Sequence, residues 1–225
     1  MAESDIKLDL ERPARLGFGE AVFCAQKSAG QIGDILAEAD RRELPFLLTR
    51  LDEATFAALA EDHRRRIDYD PLSGTGFFRF EPREAEAPLV AVVTAGTSDA
   101  GAAREAIRTL AFNHLAATAI FDVGVAGLWR LLDRLDEIKR HPVVIAVAGM
   151  DAAMPSVLGG LVPGLLIAVP TSTGYGAARG GETAFAAALA SCAPGVVVCN
   201  IDNGYGAACA AIRSLTAARM ITGEG

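Results

Sequence analysis

From residue 88 onward the chain alternates short, continuously apolar runs with segments of helical period. The runs are "PLVAVVTAG", "ATAIFDVG", "PVVIAVAGM", "LLIAVPT" and "GVVVCNID". Between and after them fall "DAGAAREAIRTLAFNHL", "AGLWRLLDRLDEIKR", "MPSVLGGLV", "GGETAFAAALASC" and "GYGAACAAIRSLTAARM". Runs apolar on both faces, separated by helices, predict a parallel sheet covered on both sides. Residues 88–225 are therefore expected to form a flavodoxin-like or Rossmann-like three-layer sandwich.

The pattern before residue 88 is different. "SAGQIGDILAEADRRE" places Ile32, Ile35, Leu36 and Ala39 on one helix face with Ser28 as its cap, and "LPFLLTRL" reads as a strand. "DEATFAALAEDHRRR" reads as a second helix capped by Asp52, with Arg64, Arg65 and Arg66 on a solvated face. The charged, proline-flanked run "EPREAEAP" at 81–88 reads as a linker. This gives a small N-terminal α/β domain with its linker over 1–87 and a larger domain over 88–225.

In an open parallel sheet, ligands bind beyond the carboxyl ends of the strands. That rule selects five loops before any chemistry is considered, and all are rich in Gly, Ser, Thr, Asp and Asn. The first holds Gly96, Thr97, Ser98 and Asp99, the second Asp122 and Gly124, and the third Gly149, Met150 and Asp151. Thr171, Ser172, Gly174, Tyr175 and Gly176 lie in the fourth, and Asn200, Asp202 and Asn203 in the fifth. Backbone N–H groups at helix starts in such loops suit phosphate, and "TAGTSD" is the strongest candidate. Asp99, an anion, is expected to cap its helix or to bind a ribose hydroxyl. Tyr175 and Tyr205 recur in "GYGAA" strings, as packed rings or as an aromatic face for a planar ligand. Neither GxGxxG after the first strand nor GxxxxGK[ST] is present, which disfavours a dinucleotide redox domain and a P-loop phosphotransferase.

A net charge of −7 argues against nucleic acid as a partner. The first residues lack the basic and apolar regions of a secretory signal, and "LGGLVPGLLIAVP" is too short and too interrupted to span a bilayer. A cytoplasmic protein with no membrane partner is expected. Its thiols, Cys24, Cys192, Cys199 and Cys209, show no zinc spacing and are expected to be free. Cys192 stands apart, at a helix end beside a Pro-Gly break.

Taken together, "TAGTSD", "DVGVAG", "VAGMDAAMPSVLGGL", "AVPTSTGYGA", "SCAPG" and "NIDNGYGA" resemble the LarB family, the pyridinium-3,5-biscarboxylic acid mononucleotide synthases of nickel-pincer cofactor synthesis. The C-terminal domain is similar, more distantly, to PurE, the aminoimidazole ribonucleotide carboxylase and mutase. "LDLERPARLGFGEAVFCAQKS" resembles the family's opening segment more weakly.

The resemblance implies carboxylation of the pyridinium ring of nicotinic acid adenine dinucleotide by CO2 or bicarbonate, with release of AMP. It also implies Mg2+ and a homo-oligomer, an octamer. The attacking cysteine corresponds to Cys192 and the acidic residue to Asp151, where the family has glutamate; Ala190 stands where the family has asparagine. The scheme asks for a cysteine, a carboxylate and a phosphate cradle on one sheet edge, with Arg179 as a cation that could lower the thiol's pKa. Two alternatives stand beside it. A PurE-like mutase would need a histidine in "AGMDAAMP", which has none, and a non-catalytic nucleotide-binding module would keep the cradle without the chemistry.

Overall fold

A computed structural model describes residues 8–82 and 87–223. The chain divides into two compact units, Met1–Pro82 and Arg83–Gly225. Four residues of the expected linker, 83–86, lie outside the described residues.

The N-terminal unit runs α1 (Arg12–Leu16), β1 (Ala21–Phe23), α2 (Ala29–Arg41), β2 (Phe46–Thr49), α3 (Glu53–Ala57), α4 (Glu61–Arg64), β3 (Ile67–Asp70) and β4 (Thr75–Phe78). Its sheet has the order β1-β2-β4-β3, parallel between β1 and β2 and antiparallel elsewhere. The Ser28 cap forms as expected: its hydroxyl accepts from Gln31 N at 3.2 Å while Gln31 Oε1 accepts from Ser28 N at 2.9 Å. Ile32, Leu36 and Ala39 are fully buried against Leu48, Leu51 and Phe78. The single helix expected from Asp52 to Arg66 is instead two short ones. Leu59, between them, turns into the core at 4% exposure, and a straight helix could not hold that contact while keeping the arginines in water.

The C-terminal unit follows the predicted alternation: β5 (Val90–Thr94), α5 (Ala100–Phe112), β6 (Ala117–Ile120), α6 (Leu128–Asp133), α7 (Leu135–Ile138), β7 (Val143–Ala148), α8 (Ala153–Gly159), β8 (Leu165–Pro170), α9 (Glu182–Leu189), β9 (Val197–Val198) and α10 (Gly204–Thr222). All strands are parallel, in the order β6-β5-β7-β8-β9. This is the flavodoxin-like order, whose direction of winding reverses between β5 and β7. β5 and β7 are buried along their whole length, which explains their unbroken apolar runs.

Two expected elements are shorter than the sequence suggests. The long helix from Ala126 breaks at Arg134, and "GVVVCNID" contributes only Val197 and Val198 to the ladder. Among the described residues β9 pairs on one side only, and beyond it Cys199 N donates to Ala168 O at 2.9 Å and Asp202 N to Pro170 O at 2.8 Å. No helix of the described residues is long and apolar enough to cross a membrane.

Candidate active site

The five loops expected to carry the chemistry all follow strands of one parallel sheet, so all lie at its carboxyl edge. They are stitched to one another. Asp99 is 3% exposed and uses both carboxylate oxygens internally: Oδ2 accepts from Gly96 N at 2.8 Å and Oδ1 from Thr171 Oγ1 at 2.6 Å. It closes its own turn and ties the first loop to the fourth across the winding switch between β5 and β7. Its carboxylate bonds back to Gly96 N and makes no side-chain cap to α5 itself. Thr173 Oγ1 donates to Ser98 O at 3.3 Å, and Met150 N donates to Thr173 O at 2.9 Å. Asp202 Oδ1 accepts from Ser172 N at 2.8 Å, joining the fourth loop to the fifth.

Thr97 and Ser98 are left exposed at the mouth of the first turn. Asp122 pairs with Arg130 at 2.8 Å and its backbone N donates to Thr94 Oγ1 at 3.0 Å. Gly124 and Gly149 are required by close approach, since a Cβ would lie 2.6 Å from Ala95 O in the first case and 2.4 Å from Thr173 O in the second. Gly174 and Gly176 have φ of 139° and 55°, open to glycine. Tyr175 is 82% exposed, so its ring is not packed within the chain. Asn200 Oδ1 accepts from Ile201 N at 2.9 Å, and Asn203 Oδ1 caps α10 by accepting from Gly206 N at 2.8 Å. Buried Glu105, which sequence reasoning did not single out, accepts from Tyr205 N at 3.1 Å and fixes the start of α10 from the side of α5.

Five non-glycine residues at this edge have a left-handed backbone: Asp122, Met150, Ala152, Arg179 and Asp202, with φ between 45° and 59°. Such residues are uncommon, cost of order 1 kcal/mol or more each, and cluster at functional sites. Asp151 sits between two of them, exposed, and among the described residues its carboxylate has no hydrogen bond or ion pair. The neighbouring acids Asp99, Asp122 and Asp202 are engaged, so Asp151 is left available to a ligand, as is the exposed Glu182 at the start of α9.

Cys192 is placed elsewhere. It follows α9 and precedes β9, so it lies at the amino end of that strand. A Cβ on Gly159, the last residue of α8, would touch Ala193 Cβ at 2.7 Å and Leu166 Cδ2 at 3.5 Å, which sets the Cys192 turn level with the start of β8. The expectation of one cysteine and one carboxylate on a single edge of one chain is thus corrected: α9, 8 residues and about 12 Å long, separates the Cys192 turn from the cradle. Arg179 stays on the cradle side of that helix and is not the neighbour of Cys192 within the chain.

The four thiols are free and differ in access: Cys192 is exposed, Cys199 and Cys209 are half-buried and Cys24 is buried. Burial pushes the Cys24 thiol up to about 12 and raises that of Cys199 as well. With a limiting amount of a small alkylating reagent near neutral pH, peptide masses are expected to show Cys192 labelled first and Cys24 last. Early labelling of Cys24 would contradict its burial. The raised Cys24 value also carries a sign for stability. Its protonated form supports the fold fully below the ordinary thiol value of 9.0, and that support is lost as pH rises toward 12.

The described residues bring together no group of three or more His, Cys, Asp or Glu that could hold a metal. These residues do not form a protein cage for Mg2+.

A parallel sheet in flavodoxin-like order, with a glycine-rich, strained carboxyl edge, defines an α/β enzyme domain of carboxylase type once its match is added: residues 89–222 fit the AIR carboxylase family model. Residues 3–79 fit the LarB/PurE-like N-terminal domain. An uncharacterized protein of Methanocaldococcus jannaschii is 34% identical over 214 residues, covering 91% of this chain and 82% of that protein. The chain belongs to the LarB family, with a PurE-like C-terminal domain.

Proposed function

We propose that this cytoplasmic enzyme carboxylates the pyridinium ring of nicotinic acid adenine dinucleotide and hydrolyses its phosphoanhydride with one water, giving AMP and pyridinium-3,5-biscarboxylic acid mononucleotide for nickel-pincer cofactor synthesis. The observation that carries the reading is the carboxyl edge itself, where exposed Thr97 and Ser98 open a turn fixed by Asp99 while Asp151 is left unpaired beside it. The turn at Gly96–Asp99 would hold phosphate through backbone donors. Exposed Tyr175 would offer a face to a planar ring.

An N-alkylated pyridinium and CO2 are both electrophiles, so the ring must first be made electron-rich. Addition of the Cys192 thiolate next to C5 does this, and Asp151 takes the C5 proton after the new carbon–carbon bond forms. Mg2+ would ride on the substrate's diphosphate with water, as magnesium commonly does with few protein ligands. No step of the scheme depends on it.

Incubation with the dinucleotide, bicarbonate and magnesium is expected to release AMP and a mononucleotide heavier by one carboxyl group. In Asp151→Asn the nucleotide should still bind while turnover stalls after thiolate addition, and full activity there would remove Asp151 from the mechanism. The AIR carboxylase match favours one competing reading, a mutase acting on an aminoimidazole ribonucleotide. That reaction would call for a histidine among the edge loops. His141 lies at the amino end of β7, bonded through Nε2 to Thr118 Oγ1 at 2.7 Å, and His63 and His114 lie outside those loops. Turnover of the aminoimidazole ribonucleotide without turnover of the dinucleotide would decide for the mutase. Binding of the dinucleotide without either product would decide for a non-catalytic module.

A further inference from the structure

We infer that Arg179 is the specificity-determining residue of this edge: its guanidinium pairs with the carboxylate on the pyridinium ring and selects nicotinic acid adenine dinucleotide over NAD. The inference rests on the dinucleotide proposed above as substrate and deepens it by naming what recognises the ring's acid group.

The charges of the edge are lopsided. Its five loops hold four carboxylates, Asp99, Asp122, Asp151 and Asp202, and a single basic residue, Arg179. Arg130, which follows the second loop on α6, is engaged by Asp122 at 2.8 Å. The ligand proposed for this edge is itself an anion, with a diphosphate at its centre and a carboxylate on its ring. Backbone N–H groups can serve the diphosphate. A ring carboxylate brought in beside Asp151 and the exposed Glu182 meets like charge unless a cation offsets it.

Arg179 is placed to do so. It is exposed, and neither Glu182, three residues further on, nor any other carboxylate of the described residues pairs with it. Its backbone is anchored on both sides. A Cβ on Gly174 would lie 2.6 Å from Ala178 Cβ and 3.0 Å from Met150 Sδ, so the segment before Arg179 packs on the loop that carries Asp151. A Cβ on Gly181 would lie 2.8 Å from Thr171 O and 2.7 Å from Ile201 Cγ2, so the segment after it packs on the fourth and fifth loops. Between these anchors Arg179 has a left-handed backbone with φ of 47°. A guanidinium presented from a fixed backbone suits a planar carboxylate, because two parallel N–H donors match its two oxygens. A carboxamide offers one oxygen, an NH2 group and no charge.

The layout also matches the length of the ligand. Phosphate is proposed to bind at Gly96–Asp99, after β5, while Tyr175, proposed to face the ring, stands four residues before Arg179 on the loop after β8. β5 and β8 flank β7 and so stand two strand spacings apart, roughly 10 Å. A ribose sets a span of that order between its 5′-phosphate and a carboxyl on the far side of the ring.

Dissociation constants for nicotinic acid adenine dinucleotide and for NAD, measured by titration calorimetry without bicarbonate or magnesium, test this in the native protein, Arg179→Met and Arg179→Lys. The native protein is expected to bind the acid roughly ten- to a hundredfold more tightly than the amide, the range of a charge-assisted hydrogen bond. Arg179→Met should lose that advantage while its affinity for NAD holds, which also shows that the variant is folded. Arg179→Lys, a cation without the planar fork, should keep part of it. Equal native affinities for the two ligands, or an advantage that survives in Arg179→Met, would overturn the assignment. So would a loss in both variants that falls equally on acid and amide, the mark of a contact with the diphosphate. Native protein that binds neither dinucleotide would instead sink the proposed substrate, and the assignment with it.

Discussion

Cys192→Ser is expected to lose carboxylation by on the order of a thousandfold or more, while binding of the dinucleotide is retained. Serine is close to isosteric, so the turn before β9 should keep its shape. What changes is the electron pair on offer: an alkoxide is vanishingly scarce at neutral pH beside a thiolate, and it is a far poorer group to expel when the ring must become aromatic again. Because the loops proposed to hold phosphate lie beyond the far end of α9, the loss should fall on kcat rather than on KM. The native protein mixed with the dinucleotide or NAD should show a mass increase on Cys192 or a new dihydropyridine absorbance, absent from the variant. Cys24→Ser, Cys199→Ser and Cys209→Ser should remain active. Native turnover in Cys192→Ser would overturn the mechanism.

Gly204→Ala is expected to cause a large loss of stability. The start of α10 crosses α5 so closely that a Cβ on Gly204 would lie 2.1 Å from Ala102 O and 2.9 Å from Ala106 N. Both neighbours are backbone inside a helix, so no side chain can swing away. The helices must part, and the buried Glu105 that receives Tyr205 N must move with them. Overpacking of this kind costs about 3 kcal/mol, and the melting midpoint should fall by roughly 10 °C. Gly176→Ala makes the comparison, since nothing lies within 4 Å of the added Cβ and only its φ of 55° resists the change. Equal melting temperatures for the two variants would show that the crossing is not as tight as described.

The C-terminal layers were legible in the sequence because β5, β7 and β8 are covered on both faces, which writes itself as unbroken apolar runs. The gathering of the five loops at one carboxyl edge followed from the order of strands and helices along the chain. The N-terminal sheet was mostly illegible. β1 has three residues and β3 and β4 have four each, lengths at which no period can establish itself, and their pairing depends on distant partners such as Phe46 and Phe78. The left-handed positions were hidden for another reason: Asp122, Met150, Ala152, Arg179 and Asp202 are not glycines, so nothing in their identity marks the backbone they adopt. The position of Cys192 could have been found from sequence alone, because a residue between a helix and the next parallel strand sits at that strand's amino end.

Those left-handed residues bear on the thermodynamics of recognition. Their conformation is held by hydrogen bonds that exist without any ligand, from Thr171 to Asp99, Met150 to Thr173 and Ser172 to Asp202. The entropy lost in ordering these loops is spent when the chain folds, so little of the interaction with an incoming anion is consumed in shaping its receptor. Affinity at such an edge should respond to the charge and reach of the ligand more than to its capacity to induce a fit. Relaxing Ala152 or Met150 to glycine would then ease the fold while weakening binding through restored disorder.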